Sequence, residues 1–107
     1  MNKLWENRKW DEWLTKNLRF PFLVKRIDDE DDVIFHEVSE NEPFRLGHVM
    51  KVVDIDFEDD LYGIIAKVRE GRRTGSVPLI DLELLNTDDK NLPYLEEYAE
   101  WFTYMRS

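Results

Sequence analysis

The acidic residues of this sequence are numerous and closely spaced enough for their carboxylates to form a functional site. Five acids fall within the seven residues from 54 to 60, and no basic residue interrupts them. Like charges held this close repel one another unless a cation lies between them. The stretch is therefore the first candidate functional site, and its acids are Asp54, Asp56, Glu58, Asp59 and Asp60.

A second acidic stretch stands earlier in the chain, where five consecutive acids follow the segment FPFLVKRI. A run of like charges is typical of a solvated turn between two strands. The same side chains could also supply oxygen ligands to a metal ion, so they are kept as candidates. These residues are Asp28, Asp29, Glu30, Asp31 and Asp32.

Calcium is the ion that these residues suit, because a hard cation takes about 6 to 8 oxygen ligands from carboxylates, backbone carbonyls and water. The spacing does not form an EF-hand. Counting from Asp54 places Asp59 where the loop requires Gly, and Ile65 where it requires Glu. Any site must therefore be assembled from turns that meet in space. On composition alone, a solvated acidic surface remains the alternative.

Other site chemistries find little support in the sequence. There is no cysteine, which excludes thiolate metal sites, thiol redox chemistry and disulfides. His36 and His48 have no partner at zinc-ligand spacing. Neither Ser39 nor Ser76 stands in a nucleophile-elbow context. We therefore expect no catalytic residues and a function that is not enzymatic.

The composition bounds the class of protein. The chain has 107 residues and a formal net charge of −9, which predicts one small domain. The negative charge argues against nucleic acid and anionic membranes as partners, because phosphate binding depends on clustered Lys and Arg. No apolar run approaches the ~18 residues of a membrane span, and no apolar signal-peptide core follows the N-terminus. We expect a cytoplasmic protein.

Two terminal helices are predicted, over about residues 3–17 and 93–105, where apolar residues recur at three- and four-residue spacing. Residues 20–85 between them are predicted to form five or six short strands, one of them over 33–38. The predicted fold class is α+β, with a small, strongly bent antiparallel sheet or SH3-like barrel flanked by both helices.

Alternation along one of these strands predicts which side chains share a face. The acids Asp54, Asp56 and Glu58 should lie on one side of the strand. The apolar side opposite them should carry Val49, Lys51, Val53, Ile55 and Phe57.

The chain contains WDEWLTKNLRFPF, then LYGIIAKVREGRRTGSVPLIDLELL, then YLEEYAEWF. This order of helix, FPF strand, acidic turn, YGI strand, basic turn and final helix resembles the small acidic CcbP-type calcium-binding family, first described in cyanobacteria. The resemblance spans Trp10 to Phe102. It implies a bacterial protein that binds Ca²⁺ without EF-hands, as an intracellular calcium buffer or sensor. It also implies that the acidic turn before Leu61 is the site, in preference to residues 28–32.

Two functions of other classes remain alternatives. The first is an SH3-like protein-interaction module, in which Arg69, Arg72 and Arg73 would bind an acidic protein partner. The second is an acidic mimic or immunity-type inhibitor, whose carboxylates would cover a basic surface of its partner. A calcium titration separates these functions, because a metal site binds saturably whereas a mimic shows only salt-screened counterion binding.

Overall fold

The computed structural model describes residues 8–27 and 43–106. Helix α1 spans Trp10–Asn17 and precedes strands β1 (Phe22–Arg26), β2 (Val49–Asp59), β3 (Gly63–Glu70) and β4 (Arg73–Pro78). A 3-10 turn over Leu79–Asp81 leads to β5 (Leu82–Leu84), and helix α2 spans Leu92–Arg106. Three predicted features lie outside the described residues. They are the strand over 33–38, the acids Asp28 to Asp32 and the first part of the N-terminal helix.

The five strands form one antiparallel sheet in the order β4-β3-β2-β1-β5. Strands β4 and β5 are consecutive in sequence but lie at opposite edges, so the 3-10 turn carries the chain from one edge to the other. The sheet is open, and a helix from each end of the chain flanks it. The predicted α+β class with a small antiparallel sheet and two terminal helices is confirmed, and the open sheet of the described strands does not confirm the alternative of an SH3-like barrel.

The inner face of the sheet consists of three rows of directly paired, buried side chains. Directly opposite residues of an antiparallel pair point to the same face, so each row buries apolar surface from several strands at once. All nine of these side chains are less than a tenth exposed. The rows are Leu84, Val24 and Met50; Phe22, Val52 and Val68; and Ile55, Ala66 and Val77.

Both helices contribute aromatic side chains to this core. Trp10 of α1 and Tyr98 of α2 are each 1% exposed, and their ring centroids lie 5.5 Å apart. Arg8 forms an ion pair with Glu97 of α2, and its guanidinium lies 4.3 Å from the ring centroid of Trp13. Helix α1 begins at Trp10, and residues 8 and 9 before it are not helical. No helix in the described part of the chain is long and apolar enough to cross a membrane.

The predicted face of β2 is wrong. The register of β2 against β3 shifts between Val52 and Asp54, and again between Ile55 and Phe57. Each bulge adds one residue to β2 and so moves the following side chains to the other face. The structure instead buries Met50, Val52 and Ile55. Of the residues that alternation placed together, only Ile55 is buried, and the exposed ones are Val49, Lys51 and Phe57.

Candidate metal centre

The candidate acids of residues 54–60 lie in and after β2, on the hairpin that joins it to β3. Three of them, Glu58, Asp59 and Asp60, line a groove of about 400 Å³ between this hairpin and the C-terminal half of α2. Leucine, tryptophan, phenylalanine and methionine side chains form the apolar part of the groove. These are Leu61, Trp101, Phe102 and Met105.

A glycine brings the hairpin against α2. Gly63 has a φ of +74°, and a Cβ added there would lie 2.6 Å from Cε2 of Phe102 and still closer to the hydroxyl oxygen of Tyr98. The backbone N–H of Ile64 donates a hydrogen bond to that hydroxyl at 2.8 Å. Only glycine allows both the backbone conformation and the close approach. The acidic turn is therefore fixed in place by a buried side chain of α2.

Asp59 shapes the turn itself. Its Oδ1 accepts hydrogen bonds from the backbone N–H groups of Leu61 at 2.8 Å and Tyr62 at 2.9 Å. The hydrogen bond from Tyr62, followed by that from Leu61, holds the pKa of the Asp59 carboxyl below its ordinary value. This role of Asp59 in shaping the turn was not predicted from the sequence. The signal was an aspartate at the start of a tight turn, a position that favours hydrogen bonds to the backbone two residues on.

Asp54 and Asp56 belong to a different part of the surface. Asp54 lies opposite Lys67 of β3, and its Oδ1 accepts a hydrogen bond from the N–H of Ile55 at 2.8 Å. Asp56 Oδ2 accepts a hydrogen bond from the hydroxyl of Ser76 at 3.1 Å. The five acids predicted as one site are thus divided between the exposed strand and the groove.

The groove acids have the donor chemistry that calcium needs but do not form a completed shell. Within residues 8–27 and 43–106, no three His, Cys, Asp or Glu side chains converge in a geometry that could hold a metal ion. Calcium accepts backbone carbonyl and water oxygens alongside carboxylates. Carboxylates of the hairpin could therefore supply only part of a coordination shell. The ligand role of all ten predicted acids stays a prediction.

Comparisons with known proteins point to the family that the sequence motifs resemble. A family model described as calcium binding, that of CcbP, matches residues 2–102. The crystal structure of Anabaena CcbP is similar, with a TM-score of 0.63 and 20% sequence identity over 87% of this chain and 70% of that chain. At this identity the structural likeness shows the fold alone. A search of curated proteins gave no match.

Proposed function

The chain belongs to the CcbP family of calcium-binding proteins, and from this premise we propose that it binds Ca²⁺ at the β2–β3 hairpin. The observation that carries the proposal is that Glu58, Asp59 and Asp60 line one groove at a turn whose position the core fixes. Such a protein would act as a calcium buffer or sensor in the cytoplasm and would not be an enzyme.

The hydrogen bonds of the acids favour this half of the predicted site. Asp59 uses Oδ1 to hold the turn, which leaves Oδ2 for a ligand. The side chains of Glu58 and Asp60 make no hydrogen bond or ion pair within the described residues. Asp54 and Asp56, in contrast, already accept hydrogen bonds on the strand. A bound calcium ion would supply the positive charge that offsets repulsion among the groove carboxylates.

A thermal melt tests the proposal. An ion that binds only the folded protein stabilises it by RT ln(1 + [L]/Kd), about 2.7 kcal/mol at a hundredfold excess over Kd. This free energy corresponds to a rise of several degrees in Tm for a domain of about this size. The melt is recorded in chelator, in calcium, in magnesium and in sodium chloride at matched ionic strength. Equal shifts in calcium and in the sodium chloride control would contradict a specific site.

A pair of variants locates the ligands. Asp59→Asn with Asp60→Asn should weaken calcium binding at least about tenfold, a loss of ~1.4 kcal/mol, measured by calorimetry. The amide oxygen of the asparagine introduced in place of Asp59 would still accept the two backbone hydrogen bonds, so the turn is retained.

The matched control is Asp54→Asn with Asp56→Asn, which removes the same charge from β2 ahead of the turn and should leave calcium binding within about twofold. A third variant neutralises Asp31 and Asp32. If this third variant alone loses binding, the ligands come from the earlier acidic stretch and the groove assignment is wrong.

A further inference from the structure

The outward face of the sheet carries cations and exposed apolar side chains side by side. Leu23, Lys51 and Arg69 form one row across β1, β2 and β3, because they pair directly in the two registers. Val49 lies in the neighbouring row, opposite Lys25. Leu23 is 47% exposed and Val49 is 45% exposed. The chain has a net charge of −9, so its composition would not predict a surface on which cations lie beside exposed apolar side chains.

Two adjoining cavities of about 490 and 430 Å³ lie on this face. They share the side chains of Pro21, Leu23 and Lys51, so they form one continuous depression across the strands. Exposed apolar surface that is contiguous and bordered by polar groups is typical of an interaction site. The other apolar side chains of the lining that are not in the core are Val49, Val53 and Leu85.

Lys51 and Arg69 are directly opposite each other in the β2–β3 ladder. Like charges in this relation destabilise a sheet. Arg69 Nε donates a hydrogen bond to the carbonyl oxygen of Gly71 at 3.1 Å, and neither cation forms an ion pair with a carboxylate within residues 8–27 and 43–106. An anionic group placed between them would relieve the repulsion.

The carboxylates that also border the depression are already engaged. Glu70 Oε1 accepts a hydrogen bond from the N–H of Phe44 at 2.8 Å and contacts Nδ1 of His48 at 3.1 Å. Asp89 Oδ1 accepts a hydrogen bond from the N–H of Asn91 at 2.8 Å. Four cations line the depression against these two carboxylates, so the net charge of its lining is positive; the cations are Lys51, Arg69, Arg19 and Lys90.

We propose that this outward face, defined by Leu23, Val49, Lys51, Arg69 and Leu85, binds an acidic segment of another protein that also carries apolar side chains. Carboxylates of the segment would lie at Lys51 and Arg69, and its apolar side chains would cover Leu23 and Val49. An extended polyanion such as a nucleic acid backbone fits less well, because the acidic remainder of the molecule repels it. Its phosphates also could not cover the exposed apolar side chains. The inference is independent of the calcium proposal, which concerns a different surface.

The probe for this interaction is a fluorescently labelled dodecapeptide of alternating acidic and apolar residues, titrated by anisotropy into the full chain. One counterpart peptide has Ser at each apolar position, and another has Lys at each acidic position. The acidic-apolar peptide should bind saturably, and the Ser counterpart should bind at least about fivefold more weakly because apolar burial is lost.

Lys51→Glu with Arg69→Glu should weaken binding of the acidic-apolar peptide at least about tenfold and should favour the Lys counterpart instead. This double variant keeps a like-charge pair in the ladder, so its fold stability should stay close to that of the parent and is checked by a thermal melt. The matched control is Lys9→Glu with Lys16→Glu, two exposed lysines at α1, which makes the same change in net charge and should alter binding less than threefold.

Three results would overturn the proposal. The first is the absence of saturable binding of the acidic-apolar peptide. The second is an equal loss in the two double variants, which would indicate nonspecific charge attraction. The third is binding of inorganic polyphosphate or of phosphatidylserine vesicles that matches the peptide and depends on the same two residues, because the surface would then bind anions without regard to apolar content.

Discussion

The acidic turn and the basic turn stand at the two ends of strand β3, and they are built differently. At the acidic turn, Gly63 lies against two aromatic side chains of α2, and Asp59 accepts two backbone hydrogen bonds. At the basic turn, Gly71 also has a positive φ, of +62°, but among the described residues nothing lies within 4 Å of where its Cβ would be. Only the acidic turn is held by the core as well as by its own hairpin.

This difference separates two kinds of charge cluster that look alike in sequence. The carboxylates of the acidic turn are carried on a backbone whose position is fixed, which is what a metal site with partial protein ligation requires. Near the basic turn, Lys51 and Arg69 lie opposite each other in the β2–β3 ladder, and neither forms an ion pair with a carboxylate of the described residues. The first arrangement suits a small ion, and the second suits an extended acidic partner.

The largest effect expected from this comparison is on stability, at the two glycines. Gly63→Ala should lower the free energy of unfolding by about 2 to 4 kcal/mol, because the new Cβ is strained at a positive φ and meets the Phe102 ring and the Tyr98 hydroxyl. Gly71→Ala carries only the conformational cost, about 1 kcal/mol. Urea denaturation of both variants measures the difference. Equal losses would mean that the acidic turn is no better fixed than the basic one.

A smaller effect, of opposite sign, is expected at the paired cations. Lys51→Glu places opposite charges across the ladder from Arg69 and should raise the free energy of unfolding by about 0.5 kcal/mol. Lys16→Glu makes the same change in net charge in the last turn of α1, where the helix dipole disfavours a negative charge, and should not stabilise. Both are compared by urea denaturation at low salt. A stabilisation that persists unchanged in molar salt would show that the gain is not electrostatic.

The smallest effect concerns Asp59, whose side chain is screened by solvent. Its carboxyl has a folded-state pKa below the ordinary value of 3.8 because of the hydrogen bonds from Tyr62 and Leu61. Its ionised form therefore contributes stability that is present above the ordinary pKa and is lost as the pH falls through the folded-state value.

The free energy of unfolding, followed from neutral pH down to about pH 3, should show this contribution in the parent and lack it in Asp59→Asn. Asp60→Asn removes one charge from the same turn and serves as the control. If the two variants give the same pH profile, the hydrogen bonds at Asp59 do not favour the ionised form in solution.

The sequence by itself determined the fold class, because the signals for it are local. Apolar spacing predicted a helix at each end of the chain, and the structure has α1 over Trp10–Asn17 and α2 over Leu92–Arg106. The order of motifs around Leu61-Tyr62-Gly63 was enough to identify the calcium-binding family, which the family model confirms. The hydrogen bonds that Asp59 accepts could also be predicted from the sequence, because their donors are only two and three residues further along the chain.

Tertiary structure alone decided the faces of β2 and the division of its acids. The two bulges arise because β2 supplies more residues than β3 along the same length of ladder, which no periodicity within β2 can reveal. Alternation therefore placed Phe57 and Lys51 with Ile55, whereas pairing with β3 buries only Ile55 of these three. The groove at Asp60 depends on α2, about forty residues further along the chain. Side chains that meet through strand pairing and helix packing are positioned by contacts distant in sequence, and only the folded chain sets them.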